Sequence, residues 1–159
     1  MFREIRRKDR LVTEDIGIAA LNAIEHGTLS VLGDDDYPYA VPVNFAYKDK
    51  CIYIHCFLEG HKLDAIKKHP KVCFNAVGDV EVMKDQISTN YTSVTVFGKA
   101  ELIPPPENDA RKTAFAAIID KYVPGEPDRT NEYIKKMEDK TTVIKISIEH
   151  MTCKKRNIK

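Results

Sequence analysis

Residues 39 to 47 constrain the fold more than any other stretch of this chain. Tyr39, Val41, Val43 and Phe45 fall on one face of an extended segment, and Ala40, Pro42 and Asn44 fall on the other. That alternation is the period-two signature of a half-buried strand. A short polar link, Lys48-Asp49-Lys50, leads into a second β-rich run from Cys51 to Phe57, as in a hairpin. The second run passes through a turn containing Gly60 into a helix of about His61 to Lys68. This joint sets backbone N–H groups, Lys62 and nearby histidines at a helix start, where the partial positive charge favours a phosphate. Joints of the same shape also occur with nothing bound, and a lysine early in a surface helix is commonly just solvated.

The rest of the chain alternates irregularly. Thr13 is placed to cap a helix running to about Glu25, with Ile16, Ala19, Ala20, Ala23 and Ile24 as its apolar stripe. Thr28 to Leu32 reads as a strand, followed by a turn at Gly33-Asp34-Asp35-Asp36. A strand is expected near Val72 to Val77, then a long polar stretch from Gly78 to Asn90 that reads as a loop or a lid. A long strand from about Thr92 to Ile103 ends at Pro104-Pro105-Pro106, because proline cannot donate to a ladder. A helix from about Glu107 to Tyr122 carries Phe115, Ile118, Ile119 and Tyr122 on one stripe, and Val123-Pro124-Gly125 breaks it. A shorter helix turns Tyr133, Ile134 and Met137 inward, Thr142 to Ile148 forms a closing strand, and Cys153 to Lys159 reads as a fraying basic tail. Five or six strands with short joints and interrupting helices predict a mainly β fold, an antiparallel sheet or barrel with flanking helices.

Composition removes several classes. The length of 159 residues predicts a single domain over 1–159 that needs no disulfide or metal to hold its core. A net charge of +1 argues against an unselective grip on nucleic acid. No apolar run approaches a membrane span, and the charged start Met1-Phe2-Arg3-Glu4 lacks a signal-peptide core, so a cytoplasmic protein is expected. Cys51, Cys56, Cys73 and Cys153 show no paired metal spacing and read as free thiols. No GxGxxG or GxxxxGK[ST] is present, so neither a Rossmann site nor a P-loop is supported.

A set of motifs runs in a recognisable order: Arg6 to Arg10, Gly27 to Ser30, Tyr37 to Phe45, Ile52 to His55, Gly60 to Leu63, His69 to Phe74 and Tyr91 to Gly98. In this order and spacing the chain resembles the pyridoxamine 5'-phosphate oxidase-like FMN-binding split barrels, in the branch related to nitroimidazole-resistance proteins. The resemblance implies an antiparallel split β-barrel, a homodimer with flavin at the interface, and FMN as cofactor with FAD as the alternative. It implies ring contacts from the backbone around Pro42, Val43, Asn44 and Phe45, and a phosphate held at Gly60 and Lys62. It sets His55 beside the flavin as the candidate catalytic residue. Cys56 stands where relatives often carry a small or hydroxyl residue, and Ser93 and Thr95 can contribute from either subunit.

Read without the resemblance, the same residues have plainer uses. Asn44 can be satisfied by neighbouring backbone, a strand histidine such as His55 is commonly structural, and Ser93 and Thr95 fit an exposed strand face. The downstream arginine-rich substrate motif of true pyridoxamine-phosphate oxidases has no counterpart here, which disfavours vitamin B6 oxidation. The expected activity is a flavin-dependent reductase with a nicotinamide donor and a nitro-aromatic or similar small molecule as acceptor. The alternatives are a flavin- or haem-binding protein without turnover, serving storage or sensing, and a small-ligand module with no cofactor.

Overall fold

The computed structural model describes residues 2–106, 108–137 and 139–157, with the backbone alone at 127–130. Seven strands form one sheet: β1 His26–Leu32, β2 Pro38–Asn44, β3 Ala46–Lys48, β4 Cys51–Phe57, β5 Lys71–Met83, β6 Ser88–Ile103 and β7 Thr141–Arg156. Their order across the sheet is β2-β1-β5-β6-β7-β4-β3, with every neighbour antiparallel. The two edge strands, β2 and β3, are consecutive in the chain and separated only by Phe45. An open sheet cannot meet that condition, so this one curls until its edges touch. The closure is covalent, with no ladder between β2 and β4, and the barrel is therefore split along that line.

The barrel interior holds Leu29, Val31, Phe45, Ile52, Ile54, Phe74, Val94, Val96, Ile144 and Ile146, all essentially removed from water. Helix α1 (Glu14–Ala23) adds Leu21 to this core, and α2 (His61–Lys68) adds Leu63, Ala65 and Ile66. A second apolar cluster lies outside the barrel, where α3 (Asp109–Tyr122) and α4 (Pro127–Met137) meet Ala46, Tyr53 and Val143. Because a strand alternates its faces, Cys51 joins the outer cluster and Cys56 the inner one. Among the described residues, no helix is long and apolar enough to cross a membrane.

Several expectations change. The run from Tyr39 to Tyr47 is not one strand: Pro38–Asn44 pairs with β1, and only Ala46–Lys48 pairs with β4. Residues 78–90 are not a loop, because β5 and β6 continue past the sheet as a projecting hairpin, bulged between Gly78 and Glu81. The basic tail is likewise strand as far as Arg156, paired along β6, with Ile158 and Lys159 outside the described residues. Helix α1 is rotated from the expected stripe: Ile16, Ala19 and Ala23 face solvent, while Gly17 and Leu21 are buried. A Cβ at Gly17 would collide with Cys153 Sγ, so the closest contact of the helix is made by a residue that carries no hydropathy signal. Helix α3 starts at Asp109, capped by the Asn108 side chain accepting from the Arg111 amide, and Glu107 lies outside the described residues.

Candidate functional site

Strand β4 divides the predicted residues, because its side chains leave on opposite faces. His55 points outward under α3 and α4, with ring centroids 6.4 Å from Phe115 and 6.2 Å from Tyr133. Its Nε2 lies 3.3 Å from the Tyr133 hydroxyl, and its Nδ1 is buried without a partner. Asn44, at the end of β2, reaches the same place. Together with Ile118, Ile119, Tyr122, Val123 and Tyr133, these two line a cavity of about 370 Å³, apolar in its walls with a few polar tips. That composition is typical of a small-molecule site.

The second group gathers at the start of α2. Gly60 adopts φ 138°, a conformation that suits glycine, and a Cβ there would meet nothing within 4 Å. The first intrahelical bonds run from Leu63 and Asp64 to the Gly60 carbonyl, so the amides of His61 and Lys62 precede them and point out of the helix end. Cys56 lies close enough to Lys62 to feel its charge: burial pushes the thiol up, and the ammonium pulls it partly back. His61 is engaged elsewhere, stacked on Tyr39 at 4.3 Å and 3.6 Å from the Asp34 carboxylate.

The third group lies on the outward face of the sheet. Direct cross-strand partners share a face, so Pro42, Thr28, Asn75, Thr95 and Thr152 make one row across five strands. The Asn75 amide donates to Thr95 Oγ1 at 2.9 Å and to the Val94 carbonyl at 3.0 Å. Ser93 stands in the next row, between Val77 and Lys154. Val43 and Phe45 turn inward, and Phe45 is wholly buried. Its amide donates to the Tyr122 hydroxyl at 2.9 Å, and that hydroxyl lies 3.0 Å from the Phe45 carbonyl. Phe45 thus has its N–H engaged by the Tyr122 hydroxyl.

Sequence reasoning does not single out Tyr122, Tyr133 or Lys121. The two tyrosines belong to apolar stripes, but each also carries a hydroxyl to a place where polar groups converge. Lys121 sits 3.6 Å above the Phe45 ring and donates to the Leu21 and Ile24 carbonyls at 2.9 and 2.6 Å. Burial lowers its ammonium to about 8.

Burial also pushes His55 below its ordinary value of 6.5. A base depressed in the fold stays neutral where the unfolded chain takes up a proton. Stability should therefore fall as pH drops below about 6.5, and stop falling once the folded imidazole itself protonates. Denaturant melts at pH 7 and pH 5 should show a smaller acid loss in His55→Gln than in the parent. An equal loss in both would refute the assignment.

Residues 15–155 match the family model described as pyridoxamine 5'-phosphate oxidase. No functionally curated protein matches the sequence. Among solved structures, a conserved hypothetical protein of Mycobacterium tuberculosis is similar with a TM-score of 0.80 at 19% identity, over 96% of this chain and 90% of that one. A candidate 5-nitroimidazole antibiotic resistance protein of Bacteroides thetaiotaomicron gives 0.71 at 21% identity, over 91% and 85%. A FAD and heme binding protein of Mycobacterium smegmatis gives 0.73 at 20% identity, over 92% and 72%. At these identities the likeness establishes the split-barrel fold.

Proposed function

The chain belongs to the pyridoxamine 5'-phosphate oxidase family, and from that premise we propose that it binds FMN along the split between β2 and β4 and acts as a reductase of small molecules. The observation that carries this reading is that β4 and the turn that follows it supply two chemistries. One is a phosphate cradle of α2 amides, Lys62 and the open space over Gly60. The other is an apolar cavity with Asn44, His55 and two tyrosines at its wall. The donor set suits the group: a dianionic phosphate takes an ammonium and helix-start amides, and a flat ring takes apolar walls and strand-edge backbone. As a sheet edge, β2 offers such backbone at Pro42, Val43 and Asn44.

When bound, the flavin supplies the hydride and electron chemistry. The residues supply the rest. Lys62 offsets part of the phosphate charge, and Ile118, Ile119 and Val123 keep water from the cavity. Neutral His55, hydrogen-bonded to Tyr133, orients the tyrosine hydroxyl at the cavity wall. A nicotinamide donor and a nitro-aromatic acceptor fit this scheme, the latter by likeness to the Bacteroides protein. FAD remains chemically compatible, because a split barrel leaves room for an adenylate outside.

The purified protein should be yellow, release FMN on denaturation by absorbance and mass, and bleach with NADH or NADPH. A yellow protein that does not bleach would leave only binding, a haem absorption band would indicate a haem carrier, and a colourless protein after FMN addition would end the proposal. Lys62→Ala should weaken FMN binding by about 1–3 kcal/mol, the scale of a charge-assisted hydrogen bond. Unchanged affinity in a fluorescence-quench titration would remove Lys62 from the phosphate site.

The outward row through Thr28, Asn75 and Thr95 is only partly exposed. We assign it to a second copy of the chain, whose Ser93 and Thr95 would then complete the cofactor cleft. Sedimentation should give twice the monomer mass, and a monomer that holds flavin tightly would contradict this assembly.

A further inference from the structure

We propose that Lys121 and Tyr122, consecutive on α3, are positioning residues that hold the chain at Asn44–Phe45 and so decide where the ligand-readable edge of β2 ends. The inference rests on the flavin reading above. An edge strand presents unpaired N–H and C=O groups to whatever lies beside it. At Phe45 β2 gives way to β3, and the polypeptide leaves one ladder for another. Nothing in either ladder holds that residue. The Tyr122 hydroxyl does, accepting from the Phe45 amide at 2.9 Å and lying 3.0 Å from the Phe45 carbonyl.

The same hydroxyl donates to the Glu25 carbonyl, to which the Asn44 side-chain amide also donates at 3.2 Å. Lys121 secures the arrangement from the other side. Its ammonium lies over the Phe45 ring and holds two carbonyls at the C-terminal end of α1, those of Leu21 and of Ile24 just past the helix. A cation there suits the negative end of the helix. Two adjacent side chains thus tie α1, α3 and the crossover to a single point. Tyr122 also lines the His55 cavity, so this point is one wall of the proposed site.

The consequence is selective. With Phe45 occupied, a flat ligand beside β2 meets backbone groups only up to Asn44. Without the hydroxyl, the Phe45 N–H becomes an additional donor at the end of that edge. Tyr122→Phe keeps the ring and removes only the clamp.

The experiment compares parent, Tyr122→Phe, Lys121→Met and Lys121→Arg proteins loaded with FMN. Tyr122→Phe and Lys121→Met should change FMN affinity at least fivefold and shift both the visible absorption band and the midpoint potential. Lys121→Arg, which keeps the cation and its donors, should restore parental values. Variants that melt lower but keep parental affinity, spectrum and potential would reduce the pair to ordinary packing and overturn the proposal. Amide exchange in the flavin-free protein gives a second readout: the Phe45 N–H should exchange at least tenfold faster in Tyr122→Phe. A parent protein that takes no flavin would sink the functional reading. Faster Phe45 exchange would then keep the clamp, and unchanged exchange would remove it too.

Discussion

The Gly98→Val variant should yield little folded protein. At Gly98 the β6–β7 ladder changes register, with Phe97 opposite His150 and Gly98 opposite Ile148. A Cβ at Gly98 would collide with the Ser147 carbonyl oxygen and come within 3.0 Å of Ile146 Cγ2. A flexible side chain could swing away from such a clash; a backbone oxygen in the middle of a ladder cannot. The strands it would push apart carry Val94, Val96, Ala100, Ile144 and Ile146, much of the inner core. Ordinary overpacking costs about 1–3 kcal/mol, and displacing a central ladder should exceed that. Against a total stability of about 5–15 kcal/mol, a loss of ~4 kcal/mol or more leaves a marginal fold. Gly98→Ala should be the measurable version, melting roughly 5–10 °C below the parent. If Gly98→Ala melts with the parent, the two strands do not approach as closely as described.

What the sequence made readable was local. The β3–β4 turn follows from Lys48-Asp49-Lys50, and Asp49 and Lys50 do adopt the left-handed conformation of a tight hairpin. The bounds of α2 follow from Gly60 and Pro70, and the position of Lys62 at its start follows with them. The break at Phe45 was hidden for a physical reason. Side-chain alternation runs unbroken through it, Val43 and Phe45 both pointing inward, while the change is in which distant strand the backbone meets. The hairpin at 78–90 was hidden because both of its faces meet solvent, so Val80 and Val82 stay exposed and no inside-outside pattern exists to read.

The same distinction separates the site residues. Gly60 and Lys62 act through their own turn, and a turn is written in neighbouring residues. Tyr122 acts on Phe45 across a separation of 77 residues and on Glu25 across 97. No spacing rule reaches that far, and an inward tyrosine in a helical stripe resembles a phenylalanine until the fold shows what stands opposite its hydroxyl. The sharing of faces on β4 could be read, since period two assigns His55 with Tyr53. What lay behind that face, α3 and α4 with Phe115 and Tyr133, could not.

The Arg111→Met variant should lose on the order of 3 kcal/mol and loosen the wall of the proposed site. Arg111 is wholly buried, an uncommon place for a guanidinium. It donates to the Ile103 carbonyl at 3.1 Å and the Thr141 carbonyl at 2.9 Å, and lies 5.2 Å from the Phe115 ring centre. Ile103 ends β6 and Thr141 begins β7, so one side chain in the first turns of α3 joins both ends of the excursion that carries α3 and α4. Two effects oppose each other. Methionine avoids the cost of burying a charge, and replacing a buried ion pair as a whole by apolar residues of similar size is often neutral. Here, however, the acceptors remain. Each buried carbonyl left without a donor costs about 1–3 kcal/mol, and that term should win. At this chain length the loss corresponds to a melting point lower by roughly 6–12 °C. Because Tyr122, Tyr133 and the cavity wall ride on the same excursion, limited proteolysis should cut between residues 104 and 140 sooner than in the parent, and flavin occupancy should fall. Parental melting with parental protease resistance would show that the substituted side chain packs well enough to make the two carbonyl contacts of Arg111 dispensable.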